Sequence, residues 1–571
     1  MKKFKIIILI AVISFTTTSY GQINEDEDDI EETTAVGEGI RKIKLTKKKS
    51  SSPKLIEDTT KSQLESKYIF YDYKAKSNLQ LQPIKPAKIK IIDPLDKLKR
   101  GYIKAGIGMY TTPLAELYYN SLRSKNSNWG INLRHISSNT SLKETGFSGL
   151  SENQAGIFYT HYLKKYSVKS EINYDRQGSH FYGFNSEDTT IDKKEINQAF
   201  NEIGAKVTIA SFHKIGKEVN YEGSIGYTNY SDLFKAMEHN AVLEFKAKKS
   251  IDSEIYGVDF GVDFNNYARN NDVPLNVFGL YQVKEKITNN TIIKLMPNIT
   301  TSGKKWYVKA GLGVFVDVAD KSSFHFYPKV EAKYSFHDIF VPYIGVDGGV
   351  TRNSFRTLSK ENPFVLSDVN LQNTNTKYNV YVGIRGSISN TVSFNLQGAR
   401  KKIYGMPLYF NDTTFSIQNK MDVLYDSLDV TALLAQVTYQ EGEKLRVYLK
   451  GEFNIYSPLN QKYVWNKPAL DITLGGIYDL ADKILVRLDV YFIGDRKAKS
   501  LTDVEGSILE NGSYTVNQKA FVDFNLGFEY RYSKRVSAFL NFNNIISKKY
   551  NLYHKYPVQG INILGGATFS F

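Results

Sequence analysis

The chain of 571 residues contains no cysteine. In an exported protein this excludes a disulfide framework, and it removes thiol catalysis and cysteine metal sites altogether. Histidine is scarce, at 8 residues, with no HExxH and no paired metal spacing. His161, His180, His213 and His325 read as rim or lumen residues rather than ligands. There is no GxSxG elbow and no phosphate-binding loop, so neither enzyme chemistry nor a cofactor is expected. Past the N-terminus no run of about 18 apolar residues occurs, which excludes a helical membrane protein. A one-sided charge field is missing too. The 74 basic and 59 acidic residues give +15, but the signs interleave, so the charge reads as solvated surface and no nucleic-acid partner is expected.

What the chain does have is aromatic residues, 13% of the total with 40 Tyr and 33 Phe, and alternation. In FVDFNLGFEYRYSKRVSAFLNF (521–542), Val522, Phe524, Leu526, Phe528 and Tyr530 fall on one side of an extended chain. Asp523, Asn525, Gly527, Glu529 and Arg531 fall on the other. Period two is the signature of a strand between two different solvents. The same pattern sets Gly257, Asp259, Gly261 and Asp263 against Val258, Phe260 and Val262, and Arg446 against Leu445 and Val447. Arg487 and Asp489 likewise sit among the aliphatic residues of 484–492. Many of these runs exceed the five or six residues usual in soluble sheets and suit a tilted bilayer crossing.

The N-terminus supplies an address. A basic MKKFK, a short apolar core from Ile6 to Phe15 and the small residues of Ser19-Tyr20-Gly21 predict a signal peptide over 1–21. Residues 22–99 follow with an acidic block (25–32), a basic block (41–49) and little periodicity, and are expected to form a mostly disordered periplasmic segment. Residues 100–571 then alternate almost without pause.

Connections within that last region fall into two classes that alternate along the chain. Tight ones include Lys164–Tyr166, Lys249–Asp252 and Ser533–Arg535. Mostly long ones include Gln177–Asn197, Asn353–Asn373, Tyr404–Asp426 and Lys497–Asn517. Short periplasmic turns and long outside loops are the asymmetry of outer-membrane barrels. Counting by this parity, with 288–300 as one strand and 277–283 assigned to the preceding loop, predicts an all-β fold: a transmembrane antiparallel barrel of about 22 strands. A closed barrel is also the one sheet that leaves no backbone edge in hydrocarbon.

Several stretches, YIKAGIGMYTTPLAELYYNS (102–121), WGINLRHISS (129–138), HFYGFN (180–185), FYPKVEAKYS (326–335) and GGVTRNSFRTLSKENPFV (348–365), resemble a subgroup of TonB-dependent receptors that lacks the plug domain. The resemblance covers roughly the first half of the barrel. It implies an outer-membrane barrel in transport or uptake of a solute, alone or with a surface lipoprotein. The departure from full receptors is large, because 22–99 is too short to hold a plug, and this puts coupling to TonB in doubt. Glu32–Val36 is a loose match to a TonB box. The alternative is a structural or assembly barrel inside a larger outer-membrane complex. Candidate lumen charges are Asp259, Asp263, Arg446, Arg487, Asp489, Asp523, Glu529 and Arg531. Candidate extracellular loop contacts are Phe181, Tyr182, Phe364, Tyr409 and Phe410.

Overall fold

Alternating runs become the staves of one wall. The computed structural model describes residues 98–187, 191–213, 218–269, 286–319, 322–336, 339–412, 418–501, 507–510 and 513–571. The expected signal peptide, the segment 22–97 with its TonB-box match, and 277–283 lie outside the described residues. Twenty-two strands form a single antiparallel sheet. Each pairs with its neighbours in the chain, and the first, Gly101–Gly108, closes on the last, Asn562–Ser570, from Tyr102↔Ser570 to Gly108↔Leu564. The strand expected at 288–300 is continuous from Lys286 to Ser302.

The two solvents inferred from the alternation are visible as two faces. Ile107, Ile172, Ile225, Val382 and Ile455 are exposed on the outer face, with no protein to cover them. A closed barrel with an apolar exterior is a membrane-spanning object, and the protein is an outer-membrane β-barrel. On the periplasmic side the connections are tight. Ala481 and Asp482, both at positive φ (53° and 56°), are the central residues of a turn closed by the Lys483 N–H donating to the Leu480 carbonyl at 3.0 Å, in the three-residue connection between Leu470–Leu480 and Ile484–Ile493; positive φ at both positions suits the twist of the flanking strands.

The opposite end differs from expectation in three places. The stretch 404–426 is mostly strand: Val392–Asn411 and Met421–Glu441 run for 20 and 21 residues, twice the roughly 9–11 that a bilayer crossing needs, so their paired tops stand clear of the membrane. The stretch 353–373 contains a helix, Phe355–Glu361, started by a capping box. The Ser354 hydroxyl accepts from the Thr357 N–H, and the Thr357 hydroxyl accepts from the Ser354 N–H. Within 497–517, strands 496–500, 508–510 and 513–518 form a small separate sheet.

Candidate functional site

The extracellular mouth is spanned by an aromatic cap. Phe355 and Leu358 of the helix, with Phe364, Val365 and Val369 after it, are at most 3% exposed. They pack on Phe200, Tyr230, Tyr267, Tyr409 and Met421 from distant strands, on Phe181 just after the fifth strand, and on Tyr553 and Tyr556 of the last loop. The Phe364 and Tyr556 rings stack at 3.5 Å, and Tyr182 meets both edge-on. These residues come from the loops after the fifth, thirteenth and twenty-first strands of the ring and from its sixth, seventh, ninth, fifteenth and sixteenth strands, so their meeting bridges the mouth.

Phenols fasten the cap to the wall. Tyr230 hydrogen-bonds the Ser359 hydroxyl at 2.7 Å. Tyr409 donates to the Leu358 carbonyl at 3.2 Å and to the Glu361 carboxylate at 3.0 Å. Tyr553 donates to the Glu361 carbonyl at 3.1 Å, Tyr425 to the Asn370 carbonyl at 2.8 Å, and Tyr267 to the Ser367 carbonyl. Most of these bonds satisfy both a buried phenol and a carbonyl of the 352–373 segment, so neither strands a polar group in the apolar cluster. Asp232 accepts from the Phe234 and Ala236 N–H groups at 2.9 Å, from Gln198 at 3.1 Å and from Ser367. Lys420 is buried between the rings of Phe181 and Phe234, 4.8 and 4.6 Å from their centroids. That burial pulls its ammonium down to about 8, with Arg269 adding a smaller push the same way. His554, in the last loop, is pushed down to about 4 by burial.

Four of the five aromatic residues expected as loop contacts belong to the cap or pack against it. Phe181, Phe364 and Tyr409 lie inside the cap. Tyr182 packs against it and donates to the Pro557 carbonyl at 3.0 Å. Phe410 lies half-buried beside Lys499. Tyr230, Tyr267, Tyr425, Tyr553 and Tyr556 were not anticipated. A signal for two of them existed: Tyr230 and Tyr267 are aromatic residues on the polar phase of their strands.

Below the cap the lumen is charged. Arg487 pairs with Glu529 at 3.5 Å, Arg531 with Asp479 at 2.6 Å and Asp263 with Arg352 at 3.3 Å. Arg134 bridges Glu116 and Glu152 at 3.4 and 3.2 Å, and Lys294 pairs with Glu244 at 2.9 Å. Asp523, 3% exposed, accepts from Tyr550 at 2.7 Å. Among the described residues Asp259, Asp489 and Arg446 make no ion pair, and Arg446 is exposed to the lumen. A cleft of about 240 Å³ under the cap is lined by Glu244, Asp263, Lys294, Arg352 and Phe315 among others. No group of side chains suited to a metal ion occurs among the described residues.

No protein-family model and no curated protein matches the sequence. Solved structures do match the fold. The pyoverdine outer-membrane receptor FpvA of Pseudomonas aeruginosa superposes with TM-score 0.62 at 11% identity, over 83% of this chain and 79% of that one. The FrpB iron transporter of Neisseria meningitidis gives 0.61 at 10%, over 84% and 82%. The ferric-catecholate import receptor Fiu of E. coli, in a closed form, gives 0.58 at 11%, over 83% and 82%. The protein thus has the barrel fold of TonB-dependent receptors.

Proposed function

We propose that the protein is a gated uptake barrel of the outer membrane, in which the 352–373 segment, rather than an N-terminal plug, closes the passage. The observation that carries this reading is the cap, a buried aromatic cluster drawn from loops and strands all around the ring above a water-compatible, charged lumen. Such a lumen suits a polar or charged solute, part of whose hydration its ionic and hydrogen-bonding groups replace. The likeness to receptor and transporter folds supports uptake in general and assigns no solute. A surface lipoprotein and TonB are possible partners of this activity. Single-channel conductance tests it. The intact barrel should conduct little, and replacing 355–366 by a short Gly/Ser turn should produce a large, steady conductance.

A second reading, the structural or assembly barrel, is favoured by a different observation: Phe181, Phe364 and Tyr409 are consumed by internal packing, which leaves the mouth without those rings as a ligand platform. If the barrel without its cap still folds and conducts nothing, the second reading replaces the first.

A further inference from the structure

The shortest seam of the wall lies between its twelfth and thirteenth strands. The twelfth strand, Ser322–Tyr334, pairs along its whole length with the eleventh, Trp306–Val318. With the thirteenth, Phe340–Thr351, it pairs only from Val330↔Val346 to Lys333↔Tyr343, four residue pairs. The next shortest seam, from Leu526↔Phe542 to Arg531↔Ser537, has six.

The break has a physical cause. Continuing the register would set Gly348 beside Pro328 and Val350 beside Phe326. Instead the pairing with the twelfth strand stops at Val330↔Val346, the register with the fourteenth strand shifts between Asp347 and Gly349, and the thirteenth strand turns into the lumen toward the cap. Val350 packs with the inward cluster of Phe315 and Tyr327, and Arg352 reaches Asp263 on the ninth strand. On the return, Asn373 donates to Asp317 of the eleventh strand at 2.8 Å. The Tyr327 ring lies on Gly348, where a Cβ would come within 2.5 Å of its Cδ1. The Lys329 ammonium donates to the Gly348 carbonyl at 3.0 Å. That position has no room for a side chain.

Among the described residues the outer half of the twelfth strand, 322–329, pairs with a neighbour on one side alone. Phe324 and Phe326 are 68% and 65% exposed, more than any other phenylalanine among the described residues. Pro328 sits at the inner limit of this edge, and a proline is tolerated in a sheet where its missing N–H would face an open edge. Residues of the same parity turn both backbone groups to the same neighbour, so Phe324 and Phe326 present N–H and C=O to the open side.

We propose that this edge is a docking site for an extended β-strand of another outer-membrane polypeptide, added to the twelfth strand within the outer leaflet. Acyl chains neither donate nor accept hydrogen bonds, so lipid leaves these backbone groups unsatisfied; an added strand satisfies all of them. Phe324 and Phe326 flank such a strand on the lipid side, and the Tyr327, Phe315 and Val350 cluster backs it from the lumen. The inference holds whatever the barrel carries.

The test places a photo-crosslinking phenylalanine analogue at position 324 of the full-length protein in native outer membranes. The expected result is a polypeptide adduct of one discrete mass. Its yield should fall severalfold in a Phe326→Pro background, which removes one edge donor, and stay unchanged in Phe326→Ala, with heat-modifiable gel mobility showing that both barrels fold. Should Phe326→Pro fail to fold, Phe324→Pro with the analogue at 326 gives the same comparison. Adducts with lipid alone, or an adduct indifferent to proline in a folded barrel, would overturn the proposal. So would a disulfide forming readily between Phe326→Cys and Val350→Cys, because the protein's own thirteenth strand would then be the occupant. No native cysteine interferes with that measurement.

Discussion

The cap and the charged belt beneath it line the same lumen, yet they are built on opposite rules. In the cap, tyrosines and phenylalanines occupy inward positions, exclude water and bind loop carbonyls. In the belt, carboxylates and guanidinium groups occupy the same phase of the same kind of strand and pair across neighbouring staves. Phe200 of the cap and Glu202 of the belt are two residues apart on the sixth strand; Phe200 packs on Phe355, and Glu202 pairs with Arg356 at 3.4 Å. The inward phase of a barrel strand is therefore not polar by necessity. It is polar where water is to remain, and aromatic where the mouth is to be closed.

The largest effect should come from the cap. Phe355, fully buried, touches Phe200, Tyr230 and Tyr267. Phe355→Ala should weaken cap docking by about 3–5 kcal/mol, read as faster proteolysis within 353–373 and as channel openings in a planar bilayer. Closed channels with unchanged proteolysis would mean that the cluster is not what holds the mouth shut.

Next is the lipid face. Leu488→Arg should cost about 2–4 kcal/mol of folding into lipid near the midplane, while Asp489→Asn on the lumen side should cost much less. Equal losses would mean the two faces are assigned wrongly. Smaller still is the belt: Arg487→Gln removes the 3.5 Å pair with Glu529 and should cost about 1 kcal/mol or less, shrinking as salt rises. Its sharper readout is a changed charge selectivity once the cap has been removed.

These three regions were unequally legible in the sequence. Strand phase, loop parity and the count of 22 could be read because lipid and water impose period two on every stave. The polar phase of Asp263, Arg487, Glu529 and Arg531 on their strands was legible for the same reason. The cap was not, since it is made by contacts between positions as far apart as Tyr182 and Tyr556, which no local period encodes. The extension of strands through 404–426 was hidden by its polar interruptions, because outside the membrane neither face must be apolar. The seam left only a faint mark, Pro328 inside a strand and Gly348-Gly349 inside another. Each is ordinary alone, and only their opposition in the register gives them meaning.

A further effect is a pH dependence of the cap. Lys420 is held between Phe181 and Phe234 with its ammonium lowered to about 8 from an ordinary 10.5, by burial first, with Arg269 adding to the shift and Asp232 and Asp412 opposing it. With the cap undocked, the lysine keeps its proton up to its ordinary value; docked, it releases it near 8. Below pH 8 docking therefore carries the full penalty of a buried ammonium. As pH rises through 8 that penalty is relieved, because the undocked state now binds more protons than the docked one. The phenols of Tyr553 and Tyr556 are raised by burial and act in the opposite direction once pH passes their ordinary 10, so the clean window runs from about 8 to roughly 9.5. Across it, channel openings of the intact barrel should become rarer. Lys420→Met, which keeps the stem and removes the charge, should hold the cap tighter below pH 8 and flatten the dependence. A profile unchanged by that substitution would assign the pH response to a group other than Lys420.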